Sequence, residues 1–199
     1  MGRLAQTLGL TETHLMHHHH IFPFVAIVLG VFCSPAYSQE PLSKHQNECL
    51  TKINERTAAL VAQDWIELER MSEQYSRICK GAFSASDDSS AFENIALANF
   101  RKGNAKKALS AAESCIKFSF SNSGCHVWRL EALVALGRID EARTSFERVE
   151  RLLTHLMENN NKNLADATAP QQKELFEATR ANLLAQFNQA ISLRNGRFR

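Results

Sequence analysis

Cys125-His126 sets a thiol beside a base, the pairing that activates a cysteine nucleophile. A cysteine in an exported chain is far more often bridged. Four remain once Cys33 is set aside with the leader: Cys49, Cys79, Cys115 and Cys125. An even number without any Cys-x-x-Cys reads as two disulfides, not as a redox motif or a zinc knuckle. His17–His20 is dense enough in imidazole to bind metal, yet it stands just ahead of an apolar leader and reads as that leader's weakly basic start. The later histidines, His45, His126 and His155, are scattered and lack partner ligands at helical spacing. Asp87-Asp88 among serines reads as a helix cap, and Trp65 and Trp128 read as core before they read as cofactor platforms. No glycine-rich phosphate loop, Gly-x-Ser-x-Gly or His-Glu-x-x-His occurs. The residue types point away from catalysis and imply neither a cofactor nor a metal.

The compartment follows from residues 1–38, which read as a cleaved signal peptide. Ile21–Phe32 is an apolar run of 12 residues, short of the roughly 20 that span a bilayer. Ser34-Pro35-Ala36-Tyr37-Ser38 then places small residues at −3 and −1 of a cut before Gln39. Arg3 lies far upstream of the run, so Met16 is an alternative start and an uncleaved short anchor an alternative fate. Phe32 before Cys33 argues against a lipid anchor. Cleavage leaves 39–199, a length that buries about 70% of its unfolded surface in one domain. The chain carries a net charge of +2, which gives no warrant for nucleic acid or a broad anionic membrane surface.

Strand signals are nearly absent: apolar residues recur at three and four, not at two. A first hairpin is expected over 43–80. It opens on the capping-box pattern Ser43-x-x-Gln46 and turns near Gln63-Asp64. Leu50, Ile53, Ala58, Leu60 and Val61 form the apolar side of its first helix, and Trp65, Leu68, Met71, Tyr75 and Ile78 that of its second. Lys80–Ser90 reads as a Gly/Ser/Asp loop before a second capping box, Ser90-x-x-Glu93. Helices are expected over 91–102, 105–118, 124–136 and 140–158. Residues 159–169 read as a polar linker, and a last helix starts at Pro170 with Phe176, Leu183, Leu184, Phe187 and Ile191 as its stripe.

Within this order two stretches rhyme at a spacing of 34. Ala98-x4-Gly103-x4-Ala108-x4-Glu113 recurs as Ala132-x4-Gly137-x4-Ala142-x4-Glu147. Gly103 and Gly137 stand where a first helix must stop and turn, a position that glycine takes without a Cβ penalty. Asn104 and Asp140 stand where the second helix begins, able to accept from its free amides. The four alanines let paired helices approach closely.

Phe92-x2-Ile95-Ala96-x2-Asn99-Phe100-x2-Gly103-x4-Ala108, and Ala132 to Ala142 with Phe146, resemble the tetratricopeptide repeat family. The likeness is specific over 91–153 and degenerate over 43–80, where Gln63-Asp64-Trp65 replaces the Gly-Asn-aromatic turn. His126 and Arg129 depart from the pattern early in the second copy. The resemblance, absent beyond 158, implies an all-α fold of antiparallel hairpins stacked as a short right-handed solenoid; 170–199 is expected to be a capping or association helix. It implies a concave groove shown by Glu93, Leu97, Phe100 and Arg101 and by Val127, Glu131, Val134 and Ala135, which receives a protein or peptide partner.

A hairpin turning near 63 brings Cys49 and Cys79 to one end, and Cys115 and Cys125 flank one loop, so these are the expected pairs. The expected function is an exported, non-catalytic adaptor in a bacterial periplasm, in a secretion or surface-appendage assembly, with secretion from the cell as the alternative. Two rivals stand beside it. One is a structural subunit that self-associates through 170–194; the other is a small periplasmic enzyme or ligand-binding protein on a helical fold.

Overall fold

The computed structural model describes residues 41–197; the expected leader at 1–38 lies outside them. Seven helices follow in order: α1 Lys44–Val61, α2 Trp65–Ile78, α3 Ala85–Arg101, α4 Ala105–Phe118, α5 Ser123–Ala135, α6 Ile139–Asp166 and α7 Pro170–Arg197. Among the described residues the fold is all-α. Each helix packs on the next, and α3 also packs on α5 and α5 on α7.

Three turns share one hydrogen-bond plan. After α1, Asp64 N donates to Ala59 O and Gln63 N to Leu60 O; after α3, Asn104 N donates to Asn99 O and Gly103 N to Phe100 O. After α5, Arg138 N donates to Leu133 O and Gly137 N to Val134 O. This is the Schellman closure of a helix end, which needs a left-handed residue just past the helix. Gly103 (φ 78) and Gly137 (φ 70) supply it, and Gln63 (φ 55) adopts it despite its side chain. A Cβ at either glycine would meet open space, so backbone strain alone decides a substitution there. We expect Gly137→Val to lower stability by roughly 1–3 kcal/mol. Gln63→Gly should raise it by up to ~1 kcal/mol, since the left-handed penalty it relieves exceeds the added chain entropy. Urea midpoints that moved in the same direction for both would contradict the shared turn.

The expected caps hold in part. Ser43 and Gln46 form a capping box, and Asn104 accepts from Lys107 N; Asp64, read only as part of a turn, also caps, accepting from Glu67 N. Asp140, expected at the start of a helix, sits instead in the first turn of α6 behind Arg138, which makes no side-chain cap bond. The Lys80–Ser90 loop is shorter than expected, because α3 starts at Ala85. Ser84 and Asp87 cap each other reciprocally there, in place of Ser90 and Glu93. Asp88 accepts from Gly81 N, and the Ser89 and Ser90 hydroxyls bond back to Ser86 O and Asp87 O, so polar residues hold this turn helical.

The polar linker is the larger correction. Residues 159–166 continue α6, and only Ala167–Ala169 connect it to α7. Asn160 is buried and donates to Phe176 O at 2.9 Å. Leu164 is half-buried and Ala167 buried, extending the stripe from Leu153 at helical spacing against α7.

Ala98, Ala108, Ala132 and Ala142 are all fully buried, as close helix approach requires. The main apolar cluster joins Val127, Leu130, Leu133, Phe146, Val149 and Leu153 to Leu183 and Ala190 of α7. Leu184, expected in the α7 stripe, and Ile78, expected on the inner side of α2, are both exposed. In α1 the inward side carries Arg56, while Ala58 faces out. The guanidinium of Arg56 lies 4.9 Å from the Tyr75 ring centroid and donates to Ser90 Oγ at 2.9 Å. Both expected disulfides are present: Cys49–Cys79 with Cα atoms 5.5 Å apart, and Cys115–Cys125 at 5.9 Å.

Candidate interaction surface

The groove residues separate into three environments. Leu97 and Val127 are 4% and 2% exposed and belong to the core, so neither can face a partner. Both lie on helices that have neighbours on several sides, where α5 packs on α3 and α7 packs on α5.

Glu93 sits between helices. Its carboxylate accepts from Asn122 Nδ2 at 3.0 Å and rests against Gly124 in the first turn of α5, where a Cβ would collide with it. Burial pushes the Glu93 carboxyl above its ordinary range; the Asn122 hydrogen bond and the charge of Arg56 pull the other way. The folded protein then holds this proton more tightly than the unfolded chain does. Its contribution to stability is full below about pH 4.3 and is lost as pH rises through the raised folded value. Glu93→Gln should not lose it, so the melting temperature of the variant relative to the parent is expected to climb as pH rises above about 4.3. Parallel curves would show an ordinary carboxylate.

Glu131 is taken by the chain itself. It accepts from Gln189 Nε2 of α7 at 2.6 Å, and burial raises its carboxyl while Gln189 and Arg101 oppose the rise. Val134 is half-buried against the main cluster, on which Phe187 and Ile191 of α7 also pack. Here α7 covers the face of α5. Ala135 is exposed.

What stays accessible lies toward α1 and α3. Phe100 is half-buried, tilted on Trp128 with centroids 5.9 Å apart, and Arg101 is exposed with its guanidinium 5.8 Å from the Trp65 ring. Leu60 and Trp65 pack beside Phe100 against one core cluster. Their neighbours Val61 and Ile66 are 61% and 73% exposed, the most exposed large apolar side chains of the described residues. Three residues join α1 to α2, so Leu60, Val61, Trp65 and Ile66 crown one hairpin tip with Arg101 beside them. The apolar spacing of the sequence places Leu60, Val61 and Trp65 inside and passes over Ile66. The signal for Ile66 is nonetheless present, because it falls off the Trp65, Leu68, Met71, Tyr75 stripe.

Cys125 and His126 both have partners within the fold. The Cys125 sulfur is bonded to Cys115, and His126 is buried with Nε2 2.8 Å from Phe120 O, its burial holding the imidazole below its usual range. Among the described residues no group of His, Cys, Asp or Glu is arranged to hold a metal ion, and no helix is long and apolar enough to cross a membrane. Compared with known protein families, curated proteins and solved structures, the chain matches none of them.

Proposed function

We propose that this chain is an exported, non-catalytic scaffold of tetratricopeptide-like hairpins that holds a protein partner in an envelope or secretion-apparatus assembly. The observation that carries the reading is the recurrence of one turn at Gln63, Gly103 and Gly137. The first helices of two such hairpins, α3 and α5, pack on each other, and rows of this kind form extended surfaces for partners. Two disulfides support export, because such bonds persist in oxidising compartments, and the periplasm is the compartment proposed. With α7 over α5, the partner belongs at the α1–α3 end, on Val61, Trp65 and Ile66, with Arg101 to meet an acidic or carbonyl group. Contiguous exposed apolar side chains rimmed by polar ones mark interaction sites, and aromatic and Arg anchors carry most of an interface's energy.

The alternative of self-association through α7 is disfavoured by one observation: Leu183, Phe187 and Ile191 of its stripe pack within the chain.

The test is capture from an envelope extract on the disulfide-bonded chain. Val61→Glu with Ile66→Glu, or Arg101→Glu alone, should weaken capture tenfold or more, about 1.4 kcal/mol, with helicity unchanged. Capture indifferent to all three substitutions would remove this surface from consideration.

A further inference from the structure

The other end of the helix row carries a cleft that this reading does not use. It measures about 360 Å3 and lies between α6, with Leu156, Asn159 and Asn163, and α7, with Phe176, Thr179 and Leu183. No ionisable side chain lines it. Residues 156, 159, 160 and 163 form one face of α6 by their spacing. Asn160, buried, is committed to the Phe176 carbonyl and fixes the height of α7 above α6. Asn163 and Asn159 are exposed. The Asn159 carboxamide nitrogen lies 3.0 Å from His155 Nε2, which leaves its oxygen as an acceptor; no described residue partners the Asn163 side chain.

A carboxamide presents a donor and an acceptor in one plane, as a peptide group does. Four residues of helix rise about 6 Å, and two residues of extended chain rise roughly 6.6 Å. Carboxamides one turn apart therefore match alternate peptide groups of an extended backbone. Side chains on the alternating positions would then fall on the apolar floor of Leu156, Phe176 and Leu183, with Leu175, 41% exposed, extending the rim.

We propose that the α6–α7 cleft binds an extended, uncharged peptide segment of a partner protein, with Asn159 and Asn163 holding its backbone and apolar side chains seated at alternate positions. The site is lined by α6 and α7 alone and stands whether or not the α1–α2 tip binds anything.

The probe is a set of capped pentapeptides, Ala-X-Ala-X-Ala with X as Leu, Val or Phe, titrated into the disulfide-bonded chain and followed by NMR. Shifts are expected at the side-chain amides of Asn159 and Asn163 and the methyls of Leu156 and Leu183. Methylating the backbone nitrogens of the peptide, or Asn159→Ala with Asn163→Ala, should weaken binding tenfold or more. Both asparagines are exposed, so the variant is expected to fold, and the methylated peptides test the intact chain regardless. Silence at millimolar peptide overturns the proposal, as do shifts confined to the α1–α2 tip or equal binding of methylated and unmethylated peptides.

Discussion

Removing the Cys49–Cys79 bridge is expected to lower the unfolding free energy by about 3.5 kcal/mol. The bridge closes a stretch of 30 residues, and cross-linking a loop of that length removes roughly this much chain entropy from the unfolded state. Both cysteines are fully buried beside Tyr75 and Ala91, so Cys49→Ala with Cys79→Ala leaves only a small void and isolates the loop effect. The Cys115–Cys125 bridge spans 10 residues and should be worth less, about 2.7 kcal/mol. With a urea slope of ~1–3 kcal/mol per molar, the first loss moves the midpoint by more than about 1 M. An unchanged midpoint in the double variant would mean that packing alone closes the first hairpin.

The second large effect is expected at Leu183. This residue is 6% exposed and joins α7 to the cluster of Val127, Leu130, Leu133 and Leu153. Leu183→Ala should cost about 2–5 kcal/mol, a fall in melting temperature on the order of 10 °C for a chain of this size. Its mass by light scattering should stay that of the parent. A variant that melts normally but halves its mass would mean that the stripe serves self-association, and the scaffold reading would yield to the rival.

Determinants that lie within a few residues of one another are legible in the amino-acid sequence. The capping box at Ser43, the turns at Gly103 and Gly137 and the start at Pro170 are set by bonds between neighbours and by backbone sterics, which travel with residue type. The disulfide pairs are legible because a helical hairpin turns distance from its tip into height along the partner helix. At Gln63 the turn is visible but its left-handed backbone is not, since glutamine carries no preference for it; the closure made by Asp64 and Ala59 imposes it.

What only the tertiary structure decided is how far each face is covered. The run of Asn159, Asn160, Asn161 and Lys162 argues for a linker until Asn160 finds the Phe176 carbonyl and α7 folds back along α6. Glu131 and Val134 occupy groove positions by register, but Gln189 of α7 takes the Glu131 carboxylate and Val134 packs on the core cluster that α7 joins. Arg56 lies on the inward side of α1 because Tyr75 and Ser90, from two later helices, receive its guanidinium. A helical period states which residues share a face. Which face meets another helix depends on contacts between distant segments, and no local spacing encodes them.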